Sequence, residues 1–283
     1  MLRESKLLLG SFSLYVSLVF ATSLKLCCTT SKIQDSLRYF IEIAYNGKNY
    51  HGWQMQPNEV TVQEVLEKTM TTILREEIKV MGAGRTDAGV HAKQLFAHFD
   101  FDKIENITEL QFKLNSFLPK DISVQSIFQV KEDKHARFDA LEREYEYIIT
   151  LKKNPFLEDF AHLIHYRPNI DLMNEAANEL LNYKNFQCFS RSNTDVKTYN
   201  CKIEKAYWKE ENSQLIFTIS ADRFLRNMVR AIVGTLIDVG FEKTSLEDFH
   251  EIIKSKDRSK AGTSAPAKGL YLTKVVYPES IRI

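Results

Sequence analysis

The stretch Gly84-Arg85-Thr86-Asp87-Ala88-Gly89-Val90-His91-Ala92 sets an arginine and a carboxylate two residues apart among small residues. Glycines permit tight backbone turns, so both charges can stand on one surface. There Arg85 and Asp87 suit a phosphate-bearing ligand. On composition alone the simpler reading is a structural turn in which Asp87 makes an Asx interaction. The Gly-x-x-x-x-Gly-Lys-Ser/Thr pattern is absent, so nucleotide hydrolysis has little support. His91 is expected to pack or hydrogen-bond within the motif rather than transfer protons. A further candidate is Arg230, which lies among Met228, Val229, Ile232 and Val233; an arginine in such apolar company is costly unless paired. Arg223 and Arg226 sit on nearby turns and read equally as a basic wall for phosphates or as a solvated face.

The composition sets outer limits on that chemistry. The chain has 283 residues, 44% of them hydrophobic, with 10 Gly and 6 Pro. That is enough to bury a substantial core and carries no sign of disorder. Its 38 Lys and Arg against 37 Asp and Glu leave a net charge of +1. A polyanionic partner would therefore have to be held by a local basic patch. Cys27 and Cys28 are adjacent, and Cys188 and Cys201 lack a second pair at metal spacing. Neither a disulfide framework nor a zinc site is indicated, and free cysteines in a reducing compartment are expected.

The elements that must position these residues follow from periodicity. Tyr39 to Tyr45 alternates as a strand and runs into the turn dipeptide Asn46-Gly47. Thr61 to Glu64 reads as a capping box, followed by a helix through Leu66, Met70, Ile73 and Leu74. Ile78 to Met81 and Leu95 to Phe101 read as strands on either side of the Gly84–Ala92 stretch. Leu110, Leu114, Phe117 and Leu118 mark a second helix, stopped by Pro119, and Ile122 to Val130 a strand. The order strand, helix, strand, strand, helix, strand is ferredoxin-like.

It then begins again. Tyr145 to Leu151 alternates, with Tyr145 by default a core aromatic. Leu172 to Leu181 forms a helix with Asp171 as its cap. Lys202 to Trp208 and Leu215 to Ser220 make a hairpin around Glu211-Asn212-Ser213. Leu225 to Val239 is an apolar helix ended by Gly240, Thr244 to Glu247 caps another, and Leu270 to Tyr277 is a last strand. The expected fold is α+β, with two ferredoxin-like (RRM-like) halves whose antiparallel sheets form a central catalytic cleft. Residues 37–140 form the half with the Gly84–Gly89 loop, and residues 141–283 form the second.

Residues 1–36 stand apart. Leu7 to Cys28 is an apolar run behind Arg3 and Lys6, with one Lys at 25, which fits a signal peptide or a short membrane segment. The remainder reads as a cytosolic globular protein. Three explanations stay open: a targeting segment, an organellar presequence, or residues upstream of a true start near Leu37. The segment is expected to lie outside the fold.

Six stretches occur in a fixed order: YHGWQ (Tyr50 to Gln54), GRTDAGVHA, HARF (His135 to Phe138), REYEY (Arg143 to Tyr147), FLRNMVRAIVG (Phe224 to Gly234) and AGTSAPAKGLYL (Ala261 to Leu272). Together they resemble the tRNA pseudouridine synthase A family. The resemblance implies an isomerase that needs no metal or cofactor. It would detach uracil from ribose, turn it and rejoin it through carbon at uridines 38–40 of the tRNA anticodon arm. By this resemblance Asp87 is the catalytic aspartate, acting as nucleophile or as base on the ribose. Arg85 enters the helix where the base leaves, Tyr145 stacks on the flipped uracil, and Arg230 pairs with Asp87. It also implies a cytoplasmic homodimer with each tRNA spanning both subunits, and membrane contact is not expected. The sequence departs from the family's pattern at Cys201, where many relatives carry arginine, and in the acidic Glu144 and Glu146 beside Tyr145. One basic contact to tRNA would then be missing or relocated. The alternative is a non-catalytic tRNA-binding or folding module on the same scaffold. Joint retention of Asp87, Arg85, Tyr145 and Arg230 argues against it.

Overall fold

A computed structural model describes residues 36–192 and 196–283. The Leu7–Cys28 run lies outside the described residues. In chain order the elements are β1 (Leu37–Tyr45), α1 (Val62–Leu74), β2 (Met81–Gly82), β3 (His91–Phe101), α2 (Ile107–Phe117), β4 (Ile122–Val130), β5 (Glu142–Thr150), β6 (His162–Leu163), α3 (Ile170–Glu179), β7 (Ile203–Glu211), β8 (Gln214–Ala221), α4 (Met228–Gly240), α5 (Leu246–Ser255) and β9 (Leu270–Val276).

The strands form one sheet in the order β4-β1-β3-β9-β5-β8-β7, with β2 on β3 and β6 on β5. The expectation of separate antiparallel sheets is corrected here: the sheet is continuous and mostly antiparallel. Its two sides join through a short parallel contact, His91 beside Tyr271 and Ala92 beside Leu272. This join lies immediately after the Asp87 loop.

Helix starts follow side-chain chemistry. Thr61 accepts from the Glu64 N–H, but the Glu64 carboxylate pairs with Lys68 at 2.5 Å, so only half of the expected capping box forms. The second box is displaced by one residue, with Ser245 and Asp248 as the reciprocal pair. The α3 cap is Asn169, whose Oδ1 accepts from the N–H groups of Asp171 and Leu172, in place of the expected Asp171. In the β7–β8 hairpin Asn212 and Ser213 have φ of 52° and 61°, the left-handed pair that matches strand twist in a two-residue turn. The strand expected at Ile78 to Met81 is reduced to Met81–Gly82. Val80 N–H bonds the buried Glu67 carboxylate instead of a ladder partner.

Two buried cores back the sheet. One gathers Tyr39, Ile41, Ile43, Trp53, Leu66, Met70, Phe99 and Leu114; the other gathers Tyr147, Met173, Phe186, Phe217, Met228, Ile232 and Phe249. They exchange residues across the join: Val90 belongs to the second, while Leu272 and Val275 belong to the first. Tyr145 packs against both.

Candidate active site

The Asp87 loop connects β2 to β3 and is gripped from beneath by residues 50–53. Trp53 N–H donates to the Thr86 carbonyl at 3.3 Å, and Gly89 N–H donates to the Tyr50 carbonyl at 3.2 Å. Inside the loop Val90 N–H closes on the Asp87 carbonyl at 3.1 Å. The Thr86 hydroxyl meets the buried Tyr45 hydroxyl at 2.8 Å. Gly52 has φ of +90°, and a Cβ there would lie 2.3 Å from the Thr86 carbonyl oxygen. Only glycine permits this approach. The YHGWQ motif is therefore the seat of the loop, a function that its sequence did not disclose.

From the other side of the sheet, α4 presents Arg230. Its Nη1 lies 3.5 Å from Asp87 Oδ2, both side chains about one quarter exposed. Its Nε donates to the Ala265 carbonyl at 2.7 Å, and Ala265 N–H returns a bond to the Arg230 carbonyl at 2.9 Å. The 261–266 segment lies against the helix because Gly234 has no side chain; a Cβ would come within 1.8 Å of the Thr263 carbonyl oxygen. Arg258 fixes the same segment through the carbonyls of Ala261 and Gly262 and the Ser264 hydroxyl. The Arg230 cost foreseen for an apolar helix is thus met by a carboxylate and a carbonyl.

Tyr145 comes from β5. At this point the β5–β9 ladder shifts register, with Glu144 opposite Lys274 and Tyr145 opposite Leu272. The extra residue, Thr273, donates its hydroxyl to the Glu144 carbonyl at 3.1 Å. Tyr145 itself keeps the regular alternation of β5, which pairs with β8 without a shift, and shares a face with Tyr147 and Ile149. The Tyr145 ring meets Phe224 edge-on at 5.1 Å. Burial, and then the Asp87 charge, pushes its hydroxyl pKa up, which keeps it neutral. Arg85 is exposed on the same loop as Asp87. The four sequence-predicted residues therefore come from the β2–β3 loop, β5 and α4, and the structure brings Arg230 and Tyr145 to Asp87, while Arg85 stands exposed two residues before it.

His91 is occupied structurally. Gly47 N–H donates to its Nδ1 at 3.1 Å, so Nε2 carries the proton toward the carbonyls of Asp159 and Lys268 at 3.1 and 3.2 Å. Burial pushes its pKa down. The acidity expected around Tyr145 is neutralised, since Glu144 pairs with Lys205 at 2.9 Å and Glu146 with Lys93 at 2.7 Å. Cys188 and Cys201 are buried free thiols, each pushed up to about 12 by burial. Position 201 thus belongs to the second core.

Arg143 is a residue whose individual part sequence reasoning missed. Two residues before Tyr145, it donates to the carbonyls of Ala140 at 2.9 Å, Asp222 at 2.7 Å, Ala83 at 3.1 Å and Arg137 at 2.5 Å. It ties the root of the Asp87 loop to the HARF turn and to the end of β8. Burial lowers its pKa. The available signal was a strongly polar residue beside Tyr145 on a strand otherwise read as packed.

The family profile described as tRNA pseudouridine synthase matches residues 42–139 and 176–278. The chain belongs to this family, and its enzyme class is isomerase. Among curated relatives, tRNA pseudouridine synthase A of Bacteroides fragilis is 52% identical over 246 residues, covering 86% of this chain and 98% of the relative. That of Porphyromonas gingivalis is 50% identical over 248 residues, with the same coverages. That of a Thermoanaerobacter species is 42% identical over 245 residues, covering 84% of this chain and 98% of the relative.

Proposed function

We propose that the protein converts uridine to pseudouridine at positions 38–40 of the tRNA anticodon stem-loop, and that Asp87 acts on the target ribose as nucleophile or base. The observation that carries this reading is the carboxylate of Asp87, part-exposed, 3.5 Å from Arg230 and on the same loop as an exposed arginine. The guanidinium of Arg230 faces the carboxylate, and a carboxylate is a group that can serve as nucleophile or base. A uridine within a stem must leave the helix to reach it, and Arg85 is suited to occupy the space left behind. Tyr145 offers a neutral aromatic face for the displaced uracil.

The strand order supports a reading as two ferredoxin-like halves, residues 37–140 and 141–283, with the catalytic cleft between them. Taking β1, β2, β3 and β4 as the first set and β5, β7, β8 and β9 as the second, each runs fourth, first, third, second across the sheet. The family resemblance supports a cytoplasmic homodimer. Residues 1–36 precede both β1 and the family match. A chain beginning at residue 37, with Leu37 replaced by Met, is expected to modify tRNA as fast as the full chain.

The site assignment is tested with anticodon-arm transcripts carrying a single uridine at 38, 39 or 40, read by chemical modification and reverse-transcription stops. Pseudouridine at one or more of these positions is expected. Pseudouridine formed only elsewhere in tRNA would refute the assignment.

A further inference from the structure

The HARF turn between β4 and β5 leaves a large aromatic ring in solvent beside the catalytic loop. Phe138 is 75% exposed. Its ring centre lies 4.3 Å from that of His135, the two rings tilted by 35°, and His135 in turn meets His98 edge-on at 4.5 Å. The guanidinium of Arg137 stands 5.8 Å from the Phe138 ring centre. Phe112, Phe117 and Phe156 are exposed as well, but among the described residues none of them has a cation over its ring.

The turn is held in place. Phe138 and Asp139 N–H groups both donate to the His135 carbonyl, and the Asp139 carboxylate accepts from His135 N–H at 2.6 Å. Ala136 N–H donates to His98 Nδ1 and its carbonyl accepts from the Tyr277 hydroxyl. One nitrogen of Arg143 bonds both the Arg137 carbonyl and the Ala83 carbonyl, two residues before Arg85. The exposed ring and the Asp87 loop therefore share a single clamp.

A fixed aromatic face with an adjacent guanidinium is what unpaired nucleobases stack upon, with the cation reaching the neighbouring phosphate. We propose that Phe138 and Arg137 form a stacking platform for a second, unpaired base of the tRNA, distinct from the uridine that is isomerised. The inference rests on tRNA being the substrate. Because Phe138 is exposed, replacing it leaves no cavity, so effects on binding separate from effects on folding.

The test uses Phe138→Trp, Phe138→Ala and Arg137→Gln in the full chain, titrated with an anticodon-arm transcript. The two native tryptophans, Trp53 and Trp208, are buried at 1% and 4% exposure, so emission added by Phe138→Trp reports the platform. Quenching of that added emission by the transcript is expected, with affinity close to that of the unaltered protein. Phe138→Ala should weaken binding about ten-fold, the scale of one stacked base. Arg137→Gln should lower the salt slope by about one. Melting temperature and solution mass should not change. Unquenched emission together with unaltered affinity for Phe138→Ala would overturn the proposal. So would a changed solution mass in Phe138→Ala, which would assign the ring to a protein contact. Pseudouridine formation by the unaltered protein on the same transcript is scored alongside. Its failure would remove the tRNA reading itself, whereas its success without quenching removes only the platform.

Discussion

Arg230 divides its guanidinium between Asp87 and the Ala265 carbonyl, with Nη1 at 3.5 Å from the carboxylate and Nε at 2.7 Å from the carbonyl. The carbonyl bond fixes the plane of the group, so the charge facing Asp87 is held in one place. Two motifs far apart in the chain, FLRNMVRAIVG and AGTSAPAKGLYL, thereby act as one support for a single carboxylate.

Arg230→Lys keeps a positive charge but loses the planar fork that serves both partners. Bonds to charged groups contribute about 1.5–3 kcal/mol. Pseudouridine formation per folded molecule should therefore fall about ten- to one-hundred-fold in single-turnover assays, and the melting temperature should fall by a few degrees as the Ala265 bond is lost. Unaltered turnover would remove Arg230 from the site.

The seat of the loop gives a second prediction. Gly52→Ala forces a Cβ against the Thr86 carbonyl at a φ that disfavours any side chain. Destabilisation of more than about 1 kcal/mol is expected, as is a loss of activity that exceeds the loss of folded protein, because Asp87 follows Thr86. Urea unfolding paired with activity per folded molecule measures both. A variant with native stability and native rate would show that the loop does not depend on this seat.

Much of this was legible in the sequence, and what was not has physical causes. The hairpin at Asn212-Ser213 and the helices of the first half follow from turn chemistry and apolar spacing. The ends of helices were displaced by one or two residues where neighbouring caps compete, as Ser245 does with Thr244 and Asn169 with Asp171. Asp87, Arg85, Tyr145 and Arg230 were found through motif resemblance. Periodicity by itself places Tyr145 in the core, where it does pack against both clusters, and its nearness to Asp87 was hidden because that loop lies far away in the chain. The work of Gly52 and Arg143 was hidden for the same reason, since their partners are backbone carbonyls, which carry no sequence signature. The continuity of the sheet depends on two parallel pairs, His91 with Tyr271 and Ala92 with Leu272, too short a contact for any pattern to announce.

Acid should act on the HARF turn through His98. His98 Nδ1 accepts from Ala136 N–H at 3.1 Å and must be unprotonated to do so. Its pKa is lowered from 6.5 to about 4, by burial first and then by His135 and Arg38, with Asp100 opposing. The unfolded chain therefore binds a proton at His98 that the folded chain refuses. The stability this group contributes is complete above about pH 6.5 and is lost progressively as pH falls toward 4. Urea midpoints should decline across that window, and less steeply in His98→Gln. Parallel declines in the two proteins would show that another group governs the acid limb.

The central claim is that one carboxylate carries the chemistry, and Asp87→Asn tests it most directly. The substitution keeps size and loop geometry while removing the charge that faces Arg230. Binding of an anticodon-arm transcript and pseudouridine formation are measured on the same preparation. The expected result is binding at least as tight as that of the unaltered protein, since a negative charge facing a polyanion is gone, together with no detectable pseudouridine. Near-normal turnover by Asp87→Asn would contradict the account.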